Sequence, residues 1–236
     1  MNKFKRVVIK ISGEALGGSK HAGIDIPTVS KICRNIKEAH NAGYEVGIVV
    51  GGGNFFRGKN IAASGDERAA GDYIGMLATI MNAMVLQIEL EKIGVPTRVQ
   101  TAVHMQSLAE PFIRRKAIRH MEKGRVVIFG AGTGLPFHST DMATVVRALE
   151  IGADLILKAT QVDGVYTDDP MKNKNAQRIK SITFKQMRNK NLRVMDLPAV
   201  TLAEENGLPI RVFKLFGKYS IKDILSSRGD YSEIKN

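Results

Sequence analysis

Six short runs rich in β-branched residues recur along the chain, at 6–11, 45–50, 97–100, 125–129, 154–157 and 210–215. Each is largely continuous in hydrophobicity instead of alternating, which suits strands buried on both faces of a parallel sheet. Helix-type patterns lie between them. Asp25-Ile26-Pro27 opens one, with Asp as cap and Pro in the first turn, and Gly43 closes it. Residues 71–92 carry apolar side chains at 73, 74, 77, 80, 81, 84, 85 and 88, a helical spacing that Gly94 ends. Further helices are expected over 110–123, 140–152, 197–206 and 219–227. This alternation predicts an α/β fold: a three-layer αβα sandwich with a mainly parallel central sheet. With 236 residues and no repeat or linker, residues 1–236 read as one domain.

Composition narrows the function classes. The single Cys33 excludes an internal disulfide and suits a reducing, cytoplasmic compartment. The N-terminal apolar run is broken by Lys10 and is too short for a signal segment. No run approaches about 20 apolar residues, so no transmembrane helix is expected. The formal net charge is +12, of which residues 111–236 carry +9. That points to anionic partners: nucleic acid, a lipid surface or phosphorylated small molecules. The excess gathers at 111–125 and 171–193, where only Phe112 and Phe184 offer aromatic rings. Nucleic-acid surfaces usually pair such rings with their cations. These stretches therefore read as solvated surface, and nucleic-acid binding is not expected.

The carboxyl ends of the strands are more informative, because open α/β sheets bind ligands there. Lys10-Ile11-Ser12-Gly13-Glu14 follows the first strand, Gly51-Gly52-Gly53-Asn54-Phe55-Phe56-Arg57-Gly58 the second, and Gly130-Ala131-Gly132-Thr133-Gly134 the fourth. Three glycine loops on one rim offer backbone N–H groups that an anion can approach closely. Residues 53–60 nearly match a P-loop, but Asn60 stands where Mg²⁺ needs a hydroxyl, and two aromatics fill the phosphate turn. Neither loop completes a dinucleotide fingerprint. Ser139 or Thr140 can cap the helix after the third loop. Lys158 ends the fifth run as Lys10 ends the first. Two such lysines could offset the charge of a phosphoryl group passing between anionic substrates, which is most of what that transfer needs. There is no Cys/His cluster, nucleophile elbow or zinc-protease motif. Direct transfer without a covalent intermediate follows.

Six stretches, KISGEAL (10–16), GGGNFFRG (51–58), GDYIGMLATIMNA (71–83), GTGLPFHSTD (132–141), GADLILKATQVDGVYTDDP (152–170) and MDLPAVTLAEENGLPIRVF (195–213), resemble the bacterial uridylate kinases of the amino-acid-kinase superfamily. They occur in order and span nearly the whole chain. The resemblance implies the amino-acid-kinase fold, with the N-terminal part serving UMP and assembly and the C-terminal part serving ATP. It implies the reaction ATP + UMP → ADP + UDP with Mg²⁺, a step of pyrimidine nucleotide biosynthesis. Lys10, Ile11, Ser12, Gly13, Gly53 and Arg57 would meet the ATP phosphates. Thr160, Tyr166 and Asp169 would hold the adenine nucleotide. Gly52, Asp72, Thr133, Gly134, Leu135, Pro136, Phe137, His138, Ser139 and Thr140 would hold UMP. Lys10 and Lys158 would stabilise the transferred group, with Asp141 and Asp154 as polar organisers. The phosphates would supply most Mg²⁺ ligands as hard oxygen donors. Family members are typically hexamers built as trimers of dimers, inhibited by UTP and often activated by GTP. The effector segment aligns with residues 18–23, where Lys20-His21 matches no family pattern. Two other readings compete: a carbamate or acylglutamate kinase of the same superfamily, and a nucleic-acid-binding regulator using the basic half.

Overall fold

The computed structural model describes residues 4–56, 67–192 and 194–236. The chain begins with β1 (Arg6–Ile11), a 3₁₀ segment (Gly13–Lys20), α1 (Ile26–Asn41) and β2 (Glu45–Val50). Then come α2 (Arg68–Lys92), β3 (Thr97–Thr101), β4 (Glu110–Pro111), α3 (Arg114–Glu122), β5 (Val126–Gly130), α4 (Thr140–Ile151) and β6 (Leu155–Thr160). The remainder comprises β7 (Val165–Tyr166), β8 (Arg178–Ile179), β9 (Ser181–Thr183), α5 (Phe184–Asn189), α6 (Leu197–Glu205), β10 (Ile210–Lys214), α7 (Ile221–Leu225) and β11 (Tyr231–Lys235).

Among the described residues, nine strands form one sheet in the order β4-β3-β5-β2-β1-β6-β10-β11-β9, while β7 and β8 pair separately. Only the β10–β11 pairing in that sheet is antiparallel. In β1 the side chains alternate between two cores. Val7, Ile9 and Ile11 join α1, α2 and α7 on one face. Val8 joins α3, α4, α5 and α6 on the other. The expected three-layer, mainly parallel sandwich is therefore present.

Strand order explains where a ligand would sit. From β1 the chain builds outward through β2 and β3 to the edge strand β4, returns to insert β5 between β3 and β2, then crosses to place β6 on the other side of β1. The carboxyl ends of β1 and β6 thus flank a topological switch point, where loops leave toward opposite faces and open a crevice.

Local signals behave as their chemistry requires. Asp25 caps α1 by accepting from the Thr28 amide at 2.9 Å. Ser139, not Thr140, caps α4, accepting from Met142 N at 3.0 Å. The helix expected over 110–123 starts only at Arg114, because Glu110 and Pro111 pair with β3 as an edge strand. An edge position suits Pro111, which lacks an N–H for a second neighbour. Cys33 is buried, and burial pushes its thiol up to about 12.

The spacing in α2 predicts the helix but not one inward face: Ile80 is buried and Met84 and Val85 pack on the core, whereas the other apolar positions face outward. Tyr73, Ile74, Leu77, Met81 and Ile88 are exposed, Tyr73 by 50%. The inward face carries Thr79, Asn82 and Glu89 among Ala83, Leu86 and Leu90. By length and composition alone this 25-residue helix is also long and apolar enough to cross a bilayer, although no unbroken apolar run in it reaches that length. Its packing on α1, β3 and β5 is that of a core helix.

Candidate functional site

Lys10 and Lys158 are register partners on the adjacent parallel strands β1 and β6. Register partners share a face, so both ammonium groups point toward α4. There the first turn of α4 presents Asp141. Lys158 Nζ donates to Asp141 Oδ2 at 2.6 Å. Lys10 Nζ lies 2.9 Å from Oδ1, an ion-pair contact without hydrogen-bond alignment. Side chains of all three are no more than 14% exposed. Burial pushes the Asp141 carboxyl up, but Lys10 and Lys158 outweigh it and hold the group below its ordinary value. Burial lowers the Lys158 pKa; Asp141 pulls it back up and Lys10 opposes that, for a net downward shift. Two neighbouring cations are thus kept together by one shared anion.

Backbone loops surround this triad. Gly51 N donates to Ile11 O at 2.9 Å, joining the loops after β1 and β2. A side chain at Gly13 would place Cβ 2.5 Å from Asn54 Oδ1 and 2.6 Å from Gly51 O, so only glycine permits this approach. At Gly52 a Cβ would meet Ala78 Cβ and Gly75 O of α2 at 2.8 Å. In the loop after β5, Ala131 and Phe137 adopt φ values of 61° and 66°. Such values are uncommon without glycine and mark a conformation held by its surroundings.

Seven of the ten residues that the resemblance gives to UMP come together. Gly52, Asp72, Thr133, Leu135, His138, Ser139 and Thr140 line one cleft between α2 and the loop after β5. Phe137 N donates to Asp72 Oδ2 at 2.7 Å, and Thr133 Oγ1 lies 3.1 Å from His138 Nδ1. Gly134 N donates to Ala131 O at 2.9 Å, and Gly134, Pro136 and Phe137 are not among the residues that line the cleft. Gly53, which the resemblance gives to the ATP phosphates, lines the same cleft.

The residues assigned to ATP divide among several places. Ser12 and Thr160 line a cleft beside the 3₁₀ segment and α1, whereas Tyr166 and Asp169 line a separate one beside residues 190–192. The Ile11 side chain is buried in the core, which leaves only its backbone to a ligand. Tyr166 Oη donates to Asp163 Oδ1 at 2.6 Å, which raises the phenol's pKa. Asp169 accepts from Met171 N at 2.9 Å. Arg57 lies outside the described residues.

Asp154 is not part of this site. Its carboxylate accepts from the Lys5 and Arg6 amides at 2.7 and 2.9 Å, at the amino-terminal edge of β1. At about 3.3 Å per residue, the strand's length separates it from Lys10. The basic stretches are braced locally. Lys116 pairs with Glu110, Arg119 with Glu122, Arg178 with Asp163 and Asp230, and Arg188 with Glu204.

Asp196 joins the site without being among the residues expected from the sequence. It caps α6 through Ala199 N at 3.0 Å, accepts a hydrogen bond from Ser139 Oγ, and its charge favours the protonated form of Lys158. The signal was present: Asp196-Leu197-Pro198 repeats the capping pattern of Asp25-Ile26-Pro27. Among the described residues, no group of three or more His, Cys, Asp and Glu side chains could hold a metal ion. Both Asp141 oxygens already face lysines.

A model of the amino acid kinase family matches residues 5–214. The uridylate kinase of Rickettsia bellii is 53% identical over 233 residues, covering 99% of this chain and 98% of the relative. That of Paramagnetospirillum magneticum is 53% identical over 234 residues, with 99% and 98% covered. The crystal structure of UMP kinase from Bacillus anthracis superposes with a TM-score of 0.94 at 37% identity, covering 98% of this chain and 96% of that one. The UMP kinase from Ureaplasma parvum gives 0.92 at 36% identity, covering 98% and 99%. A switch-point crevice with paired strand-end lysines, a family match along most of its length and full-length relatives above half identity together place this chain in the amino acid kinase family, among the uridylate kinases.

Proposed function

We propose that this chain transfers the γ-phosphoryl group of ATP to UMP, releasing ADP and UDP, by direct in-line displacement. The observation that carries the reading is the register pair Lys10 and Lys158 around Asp141, the residue that follows Thr140, which with Asp72, Thr133, Leu135, His138 and Ser139 lines the cleft. A UMP phosphate oxygen attacks the γ-phosphorus, and the bond to the β,γ-bridging oxygen breaks with its electrons leaving on ADP. No protein base is needed, because the attacking oxygen is already anionic. Lys10 and Lys158 offset charge on the transferred group, and backbone amides of the 51–53 and 131–134 loops orient the acceptor. Asp141 keeps both ammonium groups at the crevice. The donors present fit a magnesium ion carried by the phosphates better than one caged by protein. When bound with ATP, Mg²⁺ supplies further charge neutralisation at the phosphate oxygens.

The direct test is ADP release with UMP, CMP, carbamate or N-acetylglutamate as acceptor. Turnover with UMP is expected; turnover only with carbamate or N-acetylglutamate overturns the assignment. Asp72→Asn is expected to raise the KM for UMP more than that for ATP. The reverse order in steady-state kinetics would exchange the two nucleotide sites.

The exposed stripe of Tyr73, Ile74, Leu77, Met81 and Ile88 on α2 supports self-association of this chain. Assembly as a hexamer, inhibition by UTP and activation by GTP extend the proposal from the family resemblance. Leu77→Glu is expected to reduce the mass measured by light scattering; an unchanged mass removes the stripe from the interface.

A further inference from the structure

We infer that Thr79 and Asn82 are positioning residues that hold the two acceptor-side loops at a fixed separation through the buried face of α2. Thr79 lines the cleft and bonds loop backbone and its own helix, while Asn82 bonds loop backbone and the Asn54 side chain.

Thr79 Oγ1 accepts from Ala131 N at 2.8 Å and donates to Met76 O at 2.7 Å. It thereby fixes the first residue of the loop after β5, whose φ of 61° needs external support. Asn82 Nδ2 donates to Gly51 O at 2.7 Å and to Asn54 Oδ1 at 2.7 Å. Asn54 Nδ2 donates back to Asn82 Oδ1 at 3.0 Å and to Gly23 O at 2.8 Å. Asn82 thus fixes both ends of the glycine loop after β2. Thr79 and Asn82 are 3% and 0% exposed, and Asn54 is 5% exposed.

Three residues apart on a helix, Thr79 and Asn82 share a face and stand about 4.5 Å apart along the axis. One rigid rod therefore grips both loops. Earlier on the same helix, Asp72 grips the second loop again at Phe137 N. Buried polar side chains on a core-facing surface are costly unless every group is paired. Here the pairing is to the loop backbone that defines the cleft, which explains polar residues where apolar ones would otherwise pack. Asn54 Oδ1 also occupies the space a Gly13 side chain would need, at 2.5 Å. The Asn82 grip consequently reaches the turn after β1 as well as the acceptor cleft, whereas the Thr79 grip reaches the cleft alone.

This inference rests on the UMP reading of that cleft, and its test separates the two. Thr79→Val keeps the side chain's size and removes the hydroxyl. It is expected to raise the KM for UMP about tenfold, the scale of one hydrogen bond, with the KM for ATP within about twofold. Thr79→Ser, which restores the hydroxyl, is expected to behave as the wild type. Asn82→Leu is expected to raise both KM values. Hydrogen exchange gives a readout independent of substrate. Amides in 130–138 are expected to exchange faster in Thr79→Val but not in Thr79→Ser, and amides in 49–56 faster in Asn82→Leu. A UMP-inactive wild type with these exchange changes present overturns the UMP reading and leaves the positioning role standing. Unchanged exchange in Thr79→Val, or a Thr79→Ser variant as impaired as Thr79→Val, overturns the positioning role.

Discussion

Replacing Lys10 by alanine is expected to lower kcat by about 10²–10³-fold, the scale of losing one preorganised transition-state donor, while the fold survives. The structural reason is the shared anion. Asp141 faces two lysines, at 2.9 and 2.6 Å. Loss of Lys10 leaves the carboxylate paired with Lys158, so no buried charge is orphaned. The β1 backbone keeps its partners on both sides, because the ladders to β2 and β6 do not depend on the side chain. The missing ammonium is felt when charge migrates from the γ-phosphate toward the leaving ADP. Steady-state kinetics beside a thermal melt separates the two effects. Near-normal turnover with an unchanged melt would falsify the transition-state role.

Asp141→Asn is expected to be the second large lesion, lowering kcat/KM by about 10²-fold, the cost of misplacing catalytic groups by roughly an ångström. It also has a pH signature whose sign follows from the structure. Lys158 already loses its proton more readily than an ordinary lysine, first because burial disfavours the ammonium and further because Lys10 repels it. Asp141 is the main influence acting in the opposite direction. Removing its charge lowers the Lys158 pKa further. The alkaline limb of the kcat/KM profile is therefore expected to move toward lower pH in Asp141→Asn. A conservative loss of packing alone would reduce the rate without moving that limb. An unmoved limb means that the Lys158 charge is not what Asp141 controls.

The fold class was legible because its determinants are local. Continuous β-branched runs can be buried on both faces only in a sheet covered on both sides, and capping residues mark helix starts within a few positions. The same local chemistry located the glycine loops and the strand-end lysines. Short elements carried no such signal. β7, β8, β9 and β11 are two to five residues long and owe their conformation to pairing partners distant in sequence. Residue 154 shows another limit. An aspartate beside a β-branched run looks alike at either end, and only the strand's direction separates the binding rim from the opposite edge.

Helix α2 draws the line most clearly. Its sequence states that a long amphipathic helix follows the second glycine loop, and the helix forms. The period alone does not say which side meets the sheet when apolar residues lie on both sides. The tertiary structure turns Thr79 and Asn82 inward and leaves Tyr73, Leu77 and Met81 outside. The reason is energetic: loop amides and carbonyls buried beside the sheet need hydrogen-bond partners, and those two side chains supply them. By itself, then, the sequence determined the α/β layering, the glycine loops at the strand ends and the identity of the two lysines. The register that makes Lys10 and Lys158 neighbours, the aspartate between them and the inward face of α2 were decided only in the folded chain, because each depends on contacts between segments far apart in sequence.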